Sequence, residues 1–418
     1  MNFSSFGLDP SLEAALAGRG IVEASDIQKP VIPALLDTPG ANLLFTAPTG
    51  TGKTLAYLLP LLTLIKRTDS GENRPGAVLG PRLLILAPTH ELCSQIKREL
   101  DFLLGALEMG SSALLIGSGS LVRQIEYLKK KKPPGVVGNP ARVLQLLHMK
   151  KLSLRGLRFL VLDEGDSLLA EELYEETAAV CAGVRKIPVR LISCSATFPP
   201  KSRDRLFALG NEAALKSPGS DSPAPSQGPG EAPVYHWKII EETGASVLRR
   251  NIEHWAFFAE KQRKLSFLQS FLAAAKPKKT LVFCSRGEEA GKIVARLQSA
   301  HAAAGGIWGD MEKKARKAAI DLFRNGSLCI LVASDLACRG LDMDGISHVV
   351  AMDVSSNPHT YLHRAGRTGR MGKRGVMVTI GDEAELRQLV RIEKKLGITV
   401  YPKELRDRRV VPCGEESP

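Results

Sequence analysis

The sequence predicts an α/β chain of two lobes, each a parallel sheet covered by helices on both faces. Three observations predict it. The chain has 418 residues, too many for one ordinary core and suited to two domains of about 150 to 200 residues each. Short apolar runs alternate with longer helical patterns in both halves of the chain. Those runs are apolar on both faces, which suits strands in parallel sheets buried from above and below.

Taken in order, ANLLFTAP, RLLILAPT, GVVGNP, RFLVLDE and VRLISCSAT supply the strands of the first half. TLVFCS, CILVASD, HVVAMDV and GVMVTI repeat the grammar in the second. Between them KSPGSDSPAPSQGPGEAP, residues 216 to 233, is dense in Pro, Gly and Ser. It is too poor in apolar residues to offset its ordering entropy, and reads as a flexible insertion or linker. Residues 234 to 250 fit either an extra strand on the first lobe or the rest of the connection. The expected division is therefore a first lobe over 1–215, an insertion and linker over 216–250, a second lobe over 251–403, and a short polar tail over 404–418 that frays.

The formal charge of +13 favours a polyanionic partner, nucleic acid or an acidic membrane surface. No uninterrupted apolar run reaches the ~18 residues a spanning helix needs. The start MNFSSFGLDP has neither the basic nor the apolar region of a secretory signal, so a cytoplasmic, membrane-free protein is expected. The seven cysteines are scattered without C-x-x-C spacing, and neither zinc nor disulfides are expected.

The segment APTGTGKT, residues 47 to 54, follows a strand and precedes the helical pattern LAYLLPLLTLI. That context is what a phosphate-binding loop requires. Backbone N–H groups around Gly50 and Gly52 wrap the phosphates, the helix N-terminus adds a favourable dipole, Lys53 neutralises the β- and γ-phosphates, and Thr54 ligates magnesium. In FLVLDEGDSLL, residues 159 to 169, an apolar strand runs into Asp163, Glu164 and Asp166. Coupled to a phosphate loop, such acids hold the Mg2+ ion and orient the attacking water. Asp163 is the metal-side candidate and Glu164 the general-base candidate.

These motifs resemble the DEAD-box ATP-dependent RNA helicases of helicase superfamily 2, in order from Phe3 to about Gly375. The resemblance rests on VEASDIQ ending at Gln28, APTGTGKT, PTHEL (88–92), GNPAR (138–142), DEGD (163–166), SAT (195–197), VFCSR (282–286), SDLACRGLD (334–342) and YLHRAGRTGR (361–370). It implies two RecA-like lobes, with ATP and Mg2+ as cofactors. It places Phe3 to stack on adenine and Gln28 to read its edge. Thr49, Gly50, Thr51, Gly52, Lys53, Thr54 and Asp342 join them as nucleotide-binding positions. Ser195 and Thr197, through Asp166, would link the carboxylates to RNA and the other lobe.

In HRAGRTGR the cations crowd so closely that they would repel one another unless an anion lay among them. The resemblance makes Arg367 and Arg370 the arginine fingers for the γ-phosphate, with His363 and Arg364 supporting the interlobe contact. The second lobe has no GKT of its own, so the ATPase site is expected in the cleft, completed on closure. RNA contacts are implied at Thr89, Gly119, Arg142, Ser285, Arg286, Ser334 and Gly340, mostly to the backbone and so with little sequence specificity. The run Lys129 to Lys132 reads as a solvated face, with an auxiliary phosphate contact as the alternative.

The chain departs from the family pattern at several positions. Gly165 stands in place of alanine in the acid motif and is expected to add backbone freedom and loosen the site modestly while leaving the ATPase intact. His90, Asn139, Ala141, Trp308 and Lys313 replace residues on the RNA side and put unwinding strength in question. The leading expectation is an RNA-dependent ATPase that clamps single-stranded RNA or short duplexes and parts duplexes locally. The alternatives are a clamp with little hydrolysis and a DNA translocase. Ribosomal or other ribonucleoprotein partners and a monomeric state are also expected.

Overall fold

A computed structural model describes residues 1–38, 40–48, 50–71, 80–184, 188–210, 236–241, 251–309, 311–338, 343, 345–369 and 373–414. The chain divides into two compact units, the first running to Glu242 and the second from Thr243 to Pro418.

The first unit is a seven-stranded sheet. Its strands are β1 (Ala41–Thr46), β2 (Leu83–Leu86), β3 (Ala113–Leu115), β4 (Gly135–Gly138), β5 (Phe159–Asp163), β6 (Arg190–Ser195) and β7 (His236–Glu241), in the order β3-β4-β2-β5-β6-β1-β7 with every pair parallel. Strand side chains alternate between faces, and here both faces are apolar. Leu43, Phe45, Leu83, Ile85, Phe159, Val161 and Ile192 point into one core, which is closed by helices including Gln28–Asp37, Lys53–Gly71 and His90–Ala106. Leu44, Leu84, Leu86, Leu160, Leu162 and Leu191 point into the other, closed by helices including Pro140–His148, Glu171–Val184 and Pro200–Leu209. This double burial is why the runs read as continuous apolar stretches.

The second unit is an eight-stranded sheet of β8 (Ile252–Phe258), β9 (Thr280–Phe283), β10 (Ala304–Ile307), β11 (Ile330–Ala333), β12 (His348–Ala351), β13 (Gly375–Gly381), β14 (Val400–Arg406) and β15 (Arg409–Pro412). The order is β10-β11-β9-β12-β13-β8-β14-β15, parallel except for the antiparallel β14–β15 pair. Phe257, Val282, Val332, Val350, Val378 and Ile380 fill one core beneath helices Lys264–Ala275 and Gly287–Ser299. Among the described residues no helix is long and apolar enough to cross a membrane.

Of the two readings of residues 234–250, the structure has the extra strand: residues 236–241 form β7, which pairs along the whole of β1, so the first unit extends past the expected boundary at residue 215. Trp237 supplies the reason, since its indole packs on Phe207 at 5.2 Å between ring centroids. The tail is also ordered into the sheet as far as Pro412, as a β14–β15 hairpin. Its turn residues Asp407 and Arg408 both take positive φ, 49° and 59°, the mirror-image geometry that matches strand twist. The insertion at 216–233 lies outside the described residues.

Candidate active site

The phosphate loop leaves β1 at Thr46 and enters the helix at Lys53. Gly52 sits at φ 89°, the left-handed region where glycine alone is unstrained. A Cβ there would lie 2.5 Å from Gln28 Nε2, because the Gln28 amide donates to Gly52 O at 3.1 Å. Gln28 Oε1 accepts from Ser25 N at 2.9 Å, and Ser25 Oγ donates to Thr51 O at 2.6 Å. Gln28 is thus buried and joined directly to the loop. Phe3 is 4% exposed and packs within the apolar layer beside Phe6. Thr49 lies outside the described residues.

Lys53 Nζ donates to Ala47 O at 2.7 Å. Burial lowers its pKa, opposed by the nearby acids Cys194, Asp163, Glu164 and Asp166. Asp163 ends β5 opposite Cys194 of β6. Burial raises its pKa, opposed chiefly by the Lys53 charge and by donors around the carboxylate. Tyr57 donates to Oδ2 at 2.9 Å, while Cys194 Sγ at 3.3 Å and Glu164 N at 2.9 Å donate to Oδ1. Sequence reasoning missed Tyr57 and Cys194, although both lie inside segments it quoted.

Glu164 takes φ 53°, a left-handed conformation costing about 1 kcal/mol or more for a residue with a Cβ. It starts the short helix Gly165–Leu168. One residue beyond Gly165, Asp166 Oδ2 accepts from Thr197 Oγ1 at 3.2 Å, and Ser195 Oγ accepts from Thr197 N at 3.5 Å. The acid motif and the SAT segment are therefore in contact. Gly165 itself is buried in a crowded position. A Cβ there would lie 2.2 Å from Ser193 Oγ and 3.1 Å from the Phe198 ring, so glycine serves close packing at this point.

Thr54 and Asp163 offer hard oxygen donors, and among the described residues no cluster of three or more His, Cys, Asp or Glu is placed to hold a metal ion. Few protein oxygens beside a phosphate loop fit Mg2+, which retains waters and binds through one or two carboxylates and the phosphates.

On the RNA-side positions of the first unit, Thr89 caps the helix His90–Ala106 by accepting from Leu92 N at 3.2 Å. Arg142 donates to Gly119 O at 3.2 Å, Gln124 Oε1 at 3.1 Å and Gly117 O at 3.1 Å. Gln124 Nε2 also donates to Ile116 O at 3.0 Å. It is a loop organiser that the sequence did not signal. The loop borders a groove of about 300 Å3 whose lining includes Lys97, Arg123 and Tyr127. Lys129 to Lys132 are exposed at the end of the helix Leu121–Lys131.

In the second unit Ser285 and Arg286 are exposed beside the start of the helix Gly287–Ser299, and Ser285 N donates to Asp353 Oδ2 at 2.7 Å. Ser334 and Arg367 are buried. Arg364 is 3% exposed. Its Nε and Nη2 both reach Asp335 at 2.7 Å, Nη2 reaches Asp353 Oδ1 at 2.8 Å, and Nη1 donates to Asp353 O at 2.9 Å. The anion that the crowded cations require is thus, for Arg364, internal: two carboxylates of its own unit. Gly340, Asp342 and Arg370 lie outside the described residues.

Residues 25–206 match the DEAD/DEAH box helicase family and residues 263–372 the helicase conserved C-terminal domain. The chain is 31% identical to the DEAD-box ATP-dependent RNA helicase CshC of Bacillus cereus, over 95% of this chain and 92% of that protein. It is also 31% identical to the ATP-dependent RNA helicase CshA of Listeria monocytogenes, over 94% of this chain and 68% of that one. The fold is similar to S. cerevisiae Dbp5 bound to RNA and ADP BeF3, with TM-score 0.77 and 24% identity over 96% of this chain and 95% of that chain. It is likewise similar to the DEAD-box helicase Mss116 bound to ssRNA and UDP-BeF, with TM-score 0.80 and 19% identity over 97% and 80%.

Proposed function

Since the chain belongs to the DEAD-box ATP-dependent RNA helicases, we propose that it works as an RNA-stimulated clamp, gripping RNA when ATP is bound and letting go on hydrolysis. The chain is an ATP-hydrolysing RNA helicase with two RecA-like units. The clamping cycle, the magnesium ion and the residue roles are our reading. Lys53 neutralises phosphate charge, Thr54 and Asp163 hold Mg2+, and Glu164 takes the proton of the attacking water. The ion would neutralise charge developing between the β- and γ-phosphates. Arg367 and Arg370 serve the γ-phosphate as that charge develops. Thr89, Gly119 and Arg142, with Ser285, Arg286, Ser334 and Gly340, take the RNA backbone. One chain suffices for this cycle, so a monomer acting on ribosomal or other RNA–protein assemblies in the cytoplasm is the simplest form.

The observation that carries the reading is the Thr197–Asp166 hydrogen bond. It joins a segment whose proposed role is RNA coupling to the carboxylates whose proposed role is hydrolysis. The test is steady-state ATP turnover with and without long single-stranded RNA, beside Glu164→Gln. RNA should raise turnover, and the substitution should lower it by about 100-fold or more, as expected for a lost general base. ATP-dependent RNA binding without stimulated turnover would leave the clamp and remove the motor.

A further inference from the structure

Tyr57 has no part in the roles assigned above, yet its phenol lies among them. The side chain is fully buried on the helix Lys53–Gly71, one turn beyond Lys53 and three residues after Thr54, where helical neighbours share a face. Its O–H donates to Asp163 Oδ2 at 2.9 Å. An ionised carboxylate has about four lone-pair directions. Cys194 Sγ and Glu164 N take the two on Oδ1, and Tyr57 takes one on Oδ2. One direction remains, on the oxygen that Tyr57 holds.

We propose that Tyr57 is a positioning residue for the magnesium–nucleotide complex, fixing the Asp163 carboxylate so that its free Oδ2 lone pair serves the same ion as the Thr54 oxygen. This rests on the nucleotide reading of the preceding subsection. The physical need is plain. The terminal torsion of an aspartate is broad, and the strongest opposite charge acting on Asp163 is Lys53. Without the phenol the carboxylate is free to turn toward that ammonium. The metal-side oxygen would then be misdirected by one lost hydrogen bond.

The test is equilibrium binding of a fluorescent ADP analogue to the full chain, wild type and Tyr57→Phe, in Mg2+ and in EDTA. The phenylalanine keeps the shape of the buried ring and removes only the hydroxyl. We expect unchanged affinity in EDTA and a gain from Mg2+ that is smaller by about fivefold to tenfold, the size of one buried hydrogen bond. The Mg2+ concentration giving half the gain should rise in step. An unchanged Mg2+ gain, with or without a lower melting temperature, makes Tyr57 merely structural and overturns the inference. A wild-type chain showing no Mg2+ gain overturns the nucleotide reading and this inference with it. If Tyr57→Phe does not fold, 3-fluorotyrosine placed at position 57 decides the matter. Its fluorine resonance must shift when Mg2+ is added to the ADP-bound chain, and a resonance that stays still overturns the proposal.

Discussion

At the scale of the residue, Gly165 carries the clearest lesson. Its identity is set by space, because the volume of an alanine methyl is taken by Ser193 Oγ and bounded by the Phe198 ring. Ser193 Oγ makes only a 3.5 Å contact to Leu162 O, so it can rotate away, whereas the ring has less room to yield. Gly165→Ala should therefore cost about 1 to 2 kcal/mol of stability, in the range of modest overpacking. Ser193→Ala should remove most of that cost when combined with it, since it vacates the contested volume. A urea-denaturation double-mutant cycle measures the coupling, expected at about 1 kcal/mol between touching residues. Strictly additive effects would mean that the two sites do not compete. The sequence shows the glycine but not its neighbour, because Ser193 and Gly165 meet only across β6 and the turn after β5.

At the scale of the element, Arg364 ties the helix Pro358–Ala365 to Asp335, in the helix Asp335–Cys338, and to Asp353, which follows β12. Asp353 also accepts from Ser285 N at the end of β9, so one guanidinium organises the ends of neighbouring strands. Its planar fork makes a bidentate pair that an ammonium cannot copy. Arg364→Lys should lower the unfolding free energy of the second unit by about 2 kcal/mol, and Arg364→Ala by about 3. These values sit at the low end for a broken buried pair because Asp335 and Asp353 keep partial access to water. Denaturant unfolding of the full chain, followed by a probe in the second unit, checks it, and an unchanged midpoint for Arg364→Ala would refute a stabilising role for these ion pairs. The motif was legible as a cluster of cations. Its internal counter-charges were not, since Asp335 and Asp353 are distant from Arg364 in sequence and meet it only in the fold.

At the scale of the whole molecule, the legible part was whatever burial on both faces writes into a strand. Continuous apolar runs such as LLIL in β2 and FLVL at the start of β5 mark the central strands. Edge strands escape that signal. Strand β10 is half glycine, β3 is three residues long, and β7 is mostly exposed. The phosphate loop and acid motif were legible because their chemistry is local, while the Asp163 donors Tyr57 and Cys194 come from two other elements. The edge strand β7 sets the last prediction. Among the described residues the apolar cores of the first unit share no residue with that of the second, so a fragment of residues 1–242 should fold alone and bind ATP. A fragment of residues 1–215 lacks β7, which opens the edge of β1 that β7 covers along Ala41–Thr46, while β6 still pairs the other side, and removes Trp237 from Phe207. Loss of this half-buried aromatic contact costs about 1 to 3 kcal/mol, and the newly exposed edge of β1 invites association with other chains. The shorter fragment should therefore unfold at lower urea and aggregate at concentrations where the longer one stays monomeric. Equal urea midpoints for the two would show that β7 adds nothing to the sheet and that the first unit closes at β6.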